Sequence, residues 1–163
     1  MSNLISVTVQ SKSVRSMSPH AFVSLFTENG WSITSDDGLT TYLPLAGDEN
    51  DEDYDEADEF TYQSRQITED ELWKILAQKS KNDEMMGVML HWKDNGPKLD
   101  LTFDRSENCC GFPELDVTIR LDENLKSITP ETPIPDYSWY VRNVLLCLWK
   151  EYHIPRWTIG LEL

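Results

Sequence analysis

The sequence predicts a single α+β domain over residues 1–163, in which a largely antiparallel sheet packs with about three helices and the C-terminal helix is central. Three observations support this fold class. Several segments alternate apolar and polar residues, as half-buried strands do. Three other segments combine helical spacing of apolar residues with capping residues. The chain has 163 residues, 39% of them hydrophobic, which is enough to enclose one core.

The first part of the chain predicts a strand, a helix and a hairpin. Residues 4–9, "LISVTV", alternate and are rich in β-branched side chains, which indicates a strand. Ser18 as N-cap, Pro19 in the first turn and Gly30 after the last turn delimit a helix. The segments "WSIT" and "LTTYLPL", joined by "SDDG", predict a hairpin over residues 31–45.

The middle of the chain predicts a second helix among further strands. "FTYQSRQI" (60–67) is typical of a strand, and Thr68 with Glu71 forms the capping box of a helix from Glu69 to about Lys81. "GVMLHWKDNGPKLDLTF" alternates on both sides of Asn95-Gly96 and predicts a second hairpin. "LDVTIRL" (115–121) predicts another half-buried strand.

The C-terminal part predicts a helix followed by a last strand. "TPETPIP" (129–135) indicates a rigid connector, after which Asp136 caps a helix that extends to about residue 152. Leu145 and Leu148 are expected in the core, and the wide apolar arc of this helix indicates that it is covered on more than one side. Ile154-Pro155 is expected to end the helix before a strand in "RWTIGLEL".

Acidic residues are concentrated in one segment, "GDENDEDYDEADEF" (47–60). Nine of the twelve residues 48–59, here called the acid run, are Asp or Glu, and the whole chain carries a net charge of −15. We predict that the run belongs to an acidic loop at about 46–59. Such charge opposes binding to nucleic acid or to anionic membrane, and it favours a cationic partner.

Composition predicts a cytoplasmic protein without membrane contact. The first residues, "MSNLISVTVQSKSV", lack the basic flank and apolar core of a signal peptide. No apolar stretch approaches the roughly 20 residues of a membrane span. The three cysteines, Cys109, Cys110 and Cys147, are odd in number and two are adjacent, which is not a disulfide framework.

The metal-binding patterns that the chain approaches are incomplete. Counted from Asp48, the sixth residue is Asp53, where the calcium loop of an EF-hand needs glycine for its sharp turn. Cys109 and Cys110 lack the two-residue spacer of zinc-binding cysteines. We therefore predict neither a metal ion nor a cofactor.

Motifs that indicate catalysis are missing from the sequence. It has no Gly-x-Ser-x-Gly elbow and no Walker or dinucleotide glycine pattern. Asp100, Glu114 and Asp116 resemble the acidic residues of a nuclease, but the lysine expected two residues after Glu114 is replaced by Asp116. We predict that the protein is not an enzyme and has no small-molecule substrate, with an unrecognised carboxylate enzyme as the alternative.

A second candidate surface lies on the polar faces of the predicted strands. Alternation places eight side chains opposite the core: His91, Lys93, Asp100, Thr102, Asp104, Asp116, Thr118 and Arg120. This face is either simply solvated or a mixed-charge binding surface beside the acidic loop. His91 is the histidine that most favours a functional contact.

Three hypotheses remain for the acid run. It is a disordered linker, a decoy that docks into a groove meant for nucleic acid, or part of a folded interface in which Tyr54 and Phe60 add aromatic anchors. The last two both predict a basic partner. The candidate partner-binding residues are Asp48, Glu49, Asp51, Glu52, Asp53, Tyr54, Asp55, Glu56, Asp58, Glu59, His91, Asp100 and Arg120.

In size, acidity and lack of a catalytic motif, the chain resembles the immunity proteins of bacterial toxin systems. The resemblance rests on "GDENDEDYDEADEF" and the charge balance, and it carries over no site residue. It implies a non-enzymatic protein that neutralises a basic cognate toxin domain, such as a nuclease, by covering its active site or an adjacent surface. An alternative that also uses an acidic surface to bind a basic protein is a DNA-mimicking inhibitor of a nucleic-acid-binding protein.

Overall fold

The structure, a computed structural model, describes residues 3–11, 18–47, 61–107, 113–121 and 126–161. The strands of these segments are β1 (Asn3–Ser11), β2 (Trp31–Ser32), β3 (Thr40–Tyr42), β4 (Gln63–Arg65), β5 (Met86–Trp92), β6 (Lys98–Glu107), β7 (Pro113–Leu121), β8 (Ser127–Thr129), β9 (Thr132–Pro135) and β10 (Tyr152–Leu161). The helices are α1 (Pro19–Thr27), α2 (Glu69–Lys81), α3 (Tyr137–Tyr140) and α4 (Leu146–Trp149). A π-helical segment, Val141–Leu145, joins α3 to α4, and the three together form the C-terminal helix.

One antiparallel sheet organises the described residues. Its strand order is β10-β1-β7-β6-β5-β3-β4, and β2 pairs with β5 beside β3. The remaining strands, β8 and β9, form a separate hairpin. The predicted α+β class with a largely antiparallel sheet is confirmed, and the C-terminal helix packs against that sheet. The expected cover of this helix on more than one side is wrong, because Leu146 and Trp149 of its apolar arc are 54% and 56% exposed.

The core lies between the helices and one face of the sheet. Register aligns Val7, Val117, Phe103 and Met86 in one row across β1, β7, β6 and β5, and these side chains are almost fully buried. The helix residues buried in the same cluster are Phe22, Val23, Phe26, Leu72, Leu76, Tyr140, Val144, Leu145 and Leu148. Apolar burial of this extent is the main stabilising term of such a fold.

The predicted helix starts are confirmed by their hydrogen bonds. The Ser18 hydroxyl accepts from a backbone N–H of the first turn at 3.0 Å, and Pro19 follows it. The Glu71 backbone N–H donates to the Thr68 hydroxyl at 3.2 Å, while the Thr68 N–H donates to the Glu71 carboxylate at 2.7 Å. Asp136 caps α3 by accepting from a backbone N–H at 3.1 Å. Each cap satisfies donors that the helix itself leaves unpaired.

An aromatic cluster joins the sheet to the C-terminal helix. The rings of Trp31, Trp92 and Trp139 meet edge to face, with centroids 5.0–5.8 Å apart. The Trp31 indole N–H also donates to the Asn143 carbonyl at 2.8 Å, within the π-helical segment. A Cβ at Gly30 would lie 2.9 Å from the Trp92 ring, so the cluster requires glycine there as well as the left-handed backbone that Gly30 adopts.

The predicted hairpin over residues 31–45 pairs differently from expectation, whereas β5 and β6 form the second hairpin as predicted, with its turn shifted by one residue. Within residues 31–45 the strands β2 and β3 both pair with β5, and their own pairing reduces to one bridge between Thr34 and Thr40. The longer β5 offers both segments a continuous partner. The turn between β5 and β6 is centred on Asp94 and Asn95, both left-handed, one residue before the predicted Asn95-Gly96.

The C-terminal predictions also need correction. The connector at 129–135 forms most of the β8–β9 hairpin, and the C-terminal helix ends at Trp149 rather than near residue 152. Tyr152 begins β10, and Pro155 lies inside that strand next to a register shift opposite β1. Proline is tolerated there because β10 is an edge strand and the shift interrupts its ladder.

Two sets of predictions lie outside the described residues. These are the acid run with its flanking Phe60, and the adjacent Cys109 and Cys110. The third cysteine, Cys147, is buried in the core, as its place on the apolar helix predicts. Among the described residues, the helices fall short of the length and apolar character needed to cross a membrane.

Two leucines of the C-terminal helix provide a matched test of the core. Leu148 is completely buried, whereas Leu146 is 54% exposed. Leu148→Ala is expected to lower the free energy of unfolding by about 2–5 kcal/mol, because it leaves a cavity, and Leu146→Ala by less than about 0.5 kcal/mol. Urea denaturation measures both changes. Equal losses would contradict the orientation of this helix.

Candidate functional site

The face of the sheet opposite the helices carries the predicted polar residues. Asp100 on β6 pairs directly with Arg120 on β7, and His91 on β5 pairs with Lys98 on β6. Two further pairs on this open face are Thr102 with Thr118, and Asp104 with Asp116. Lys93 is the exception, because it lies in the turn after β5.

Burial divides the open face into a covered centre and an exposed flank. Asp104, Asp116 and Arg120 are exposed. Thr102 and His91, by contrast, are only 7% and 9% exposed. The face is therefore not the uniformly solvated surface that alternation alone suggests, and part of it is covered by residues that the sequence does not place there.

Tyr62, just before β4, reaches over the covered part of this face. Its hydroxyl donates a hydrogen bond to Oδ1 of Asp100. Beneath it lies Gly87 of β5, where an added Cβ would be 2.7 Å from the Tyr62 oxygen and 2.6 Å from Cδ1 of Leu43. The missing side chain at Gly87 thus makes the room in which Tyr62 and Leu43 lie on the sheet.

The electrostatics of this contact favour a neutral phenol beside a charged carboxylate. Burial is the largest cause that raises the pKa of Tyr62 far above its usual range, and the negative charge of Asp100 and their hydrogen bond add to it. The positive charge of Arg120 acts in the opposite direction. Tyr62 therefore remains a donor to Asp100, whose neighbour on the adjacent strand is Arg120. We call Tyr62, Gly87, Asp100 and Arg120 the Tyr62 cluster.

A second contact holds the chain on the other side of the acid run. The buried Lys79 of α2 donates to the Pro44 carbonyl at 2.6 Å and to Glu84 Oε2 at 3.1 Å. The same Glu84 oxygen accepts from the Ala46 N–H at 3.2 Å. A hydrogen bond from Asn82 is the first of several that lower the pKa of Glu84. We call Lys79 and Glu84, with the backbone that they bind, the Lys79 anchor.

The two contacts bracket the acid run. The described chain runs from the Lys79 anchor to Gly47 and begins again at Thr61, immediately before Tyr62. Between these points lie the predicted binding residues Asp48, Glu49, Asp51, Glu52, Asp53, Tyr54, Asp55, Glu56, Asp58 and Glu59, outside the described residues. The run therefore connects two attached ends and is not a separate tail.

His91 is placed apart from the other two described candidates. It belongs to the register row next to that of Asp100 and Arg120. Together with Asp36, Asp37 and neighbouring residues it lines a small pocket of about 90 Å³. The structure thus brings Asp100 and Arg120 together on neighbouring strands and places His91 in a separate small pocket that also contains Lys98.

The carboxylates that resemble a nuclease site do not converge. Asp116 pairs with Asp104, and the Thr102–Thr118 row separates it from Asp100. Glu114 lies further along β7, where its backbone pairs with Ser106. Within the described ranges, no three His, Cys, Asp or Glu side chains are grouped to hold a metal ion.

Sequence reasoning missed Tyr62, Gly87, Lys79 and Glu84, although two of them carried a signal. A glycine inside an alternating strand indicates that another part of the chain approaches the backbone, which is what happens at Gly87. Lys79 continues the spacing of Leu72 and Leu76 on the buried face of α2, where a lysine needs a partner. Tyr62 and Glu84 have no comparable local signal.

Comparison with known proteins identifies no relative: no protein-family model, no curated protein and no solved structure matches the chain. A function has to be inferred from the chain's own residues, above all from the charge of the acid run and the two contacts that bracket it.

Tyr62→Phe tests the Tyr62 cluster. Removing the hydroxyl deprives the half-buried Asp100 of a donor, so the free energy of unfolding is expected to fall by about 1–3 kcal/mol. The matched control is Tyr137→Phe, which removes the same atom from a half-buried tyrosine of α3. Urea denaturation at pH 7 compares the two variants, and equally small losses would show that the contact with Asp100 does not stabilise the fold.

The same variant has a distinctive pH dependence. Because the folded state raises the pKa of Tyr62, this group stabilises the protein fully below pH 10, its unfolded pKa, and less as pH rises further. The stability difference between wild type and Tyr62→Phe should therefore shrink by about 1 kcal/mol between pH 9 and pH 11. Denaturation at both pH values measures it, and a constant difference would contradict the raised pKa.

Proposed function

We propose that the protein is a non-enzymatic inhibitor that binds a basic protein partner through the acid run and the adjoining open face of the sheet. The partner class is a cognate bacterial toxin domain, such as a nuclease, whose active site or adjacent surface the inhibitor covers. The proposed setting is the cytoplasm of a bacterium that competes with its neighbours. This role is the one implied by the chain's resemblance to immunity proteins.

The concentration of charge is the observation that carries this proposal. Nine acidic residues lie within twelve positions of a chain whose total net charge is −15. A dense cluster of one sign attracts an oppositely charged partner over several ångströms and raises the association rate. The Lys79 anchor and the Tyr62 cluster attach the described chain on either side of this run.

The open face carries further acidic residues among those that the structure describes. Asp104 and Asp116 are exposed and face each other across β6 and β7. Exposed carboxylates on this flank add to the acidity that attracts a cationic partner. Arg120, in contrast, lies beside Asp100, which leaves the Asp104–Asp116 pair as the acidic part of this flank.

The test requires the partner, which affinity purification from the parent cell would supply. In the run variant, Asp51, Glu52, Asp53, Asp55 and Glu56 are replaced by Asn or Gln. In the control variant, five exposed acids elsewhere are replaced in the same way: Glu28, Asp70, Asp83, Glu131 and Glu151. Both variants lose five negative charges, so they differ only in where the charge is removed.

Association rates at about 20 mM and 200 mM salt distinguish the two variants. The run variant should associate about tenfold more slowly at low salt and show a flatter salt dependence, because local charge steers the encounter. The control variant should change by less than about twofold, and dissociation should change less than association in both. Equal effects of the two variants would remove the acid run from the mechanism.

The same complex separates the related hypotheses. An immunity function requires that the bound toxin loses its activity. If the partner instead binds nucleic acid, and DNA displaces the inhibitor without any loss of a catalytic activity, the DNA-mimic alternative is correct. Turnover of a substrate by the isolated protein would support the enzyme alternative.

A further inference from the structure

The two edges of the large sheet have opposite character. At one end lies β4, which has only three residues and is joined to β3 through the acid run. At the other end lies β10, with ten residues. A long edge strand presents backbone donors and acceptors that another strand can pair with, whereas a very short edge strand offers few of them.

β10 is also free of negative charge. The segment Tyr152–Leu161, "YHIPRWTIGL", contains Arg156 and His153 but no Asp or Glu, in a chain that has 29 acidic residues. Two copies of this edge can therefore approach each other without the repulsion that the rest of the molecule imposes.

Trp157 marks the apolar part of this edge. It pairs with Val7, so it extends the core row formed by Val7, Val117, Phe103 and Met86. These four residues are at most 2% exposed, yet Trp157 is 52% exposed. The core row thus ends at the edge strand β10 with Trp157, and the described residues leave about half of this side chain exposed to solvent.

We propose that a second copy of this chain pairs with β10 in antiparallel fashion, about a two-fold axis at Trp157. A symmetric pair of identical strands satisfies the requirement that each surface matches itself. In this register Trp157 faces its own counterpart, and Arg156 faces Thr158 of the other copy. Like charges are not opposed along the ladder, although Pro155 withholds one backbone donor from each copy.

Pairing through β10 also places the two β3–β4 edges, whose strands are joined in sequence through the acid run, far from each other. With strands about 4.8 Å apart, β4 lies roughly 29 Å across the sheet from β10. In the dimer the two β3–β4 edges would lie at the outer ends of one continuous sheet, many Debye lengths apart at physiological salt. The net charge of −15 is thus compatible with association at this one edge.

Sedimentation equilibrium over about 1–500 µM protein tests whether the wild type forms a dimer and whether Trp157 contributes to it. Wild type should form a dimer, Trp157→Lys should weaken it at least tenfold, and Ile128→Lys should leave it unchanged. Ile128 is the matched control because it is 61% exposed and lies on the separate β8–β9 hairpin. A monomer at every concentration, a larger assembly, or equal effects of the two lysine variants would overturn the proposal.

A second pair of variants tests the register and does not depend on how Trp157→Lys folds. Thr158→Glu places a carboxylate opposite Arg156 of the other copy, and Thr158→Lys places an ammonium there. The first should tighten the dimer and the second weaken it, each by about threefold. If both variants shift the dimer in the same direction, or neither shifts it, the proposed register is wrong.

Discussion

Gly87 has no side chain, and two neighbours occupy the space that one would fill. Because Tyr62 and Leu43 both lie within 2.7 Å of the position of a Cβ, any larger residue would displace them from the sheet. Their contact covers part of a face that strand alternation makes polar, and it attaches the chain directly after the acid run. The course of the chain on both sides of the run, and the partial burial of Asp100, depend on this one open position in β5.

The charged side chains that contact the segments flanking the acid run have partners where they are shielded from water. The buried Lys79 has Glu84 and a backbone carbonyl as partners, and Asp100 accepts a hydrogen bond from the Tyr62 phenol and lies opposite Arg120 on the neighbouring strand. A buried charge without a partner would destabilise the fold by several kcal/mol, so these pairs are required rather than optional. Exposed acids such as Asp116 keep their hydration and need no such compensation.

Local features of the sequence predicted much of this fold. Helix starts at Ser18, Thr68 and Asp136 follow from hydrogen bonds within one turn, and the strands follow from alternation, so both are encoded in short segments. Which strands pair is decided by partners far along the chain, and the hairpin over residues 31–45 was therefore predicted wrongly. The candidate site shows the same limit, since Asp100 and Arg120 were predicted on one face but Tyr62, 38 residues before Asp100, was not.

The position of β1 in the sheet determines when the chain can fold. Val7 pairs with Val117 on one side and with Trp157 on the other, so both partners of this strand lie more than 100 residues later. Contacts of such long range make folding slow, because the entropy of closing large loops is lost before the contacts form. During synthesis β1 is made before both of its partners and cannot enter the sheet until β7 has left the ribosome. An apolar strand exposed for that interval is a natural substrate for a chaperone.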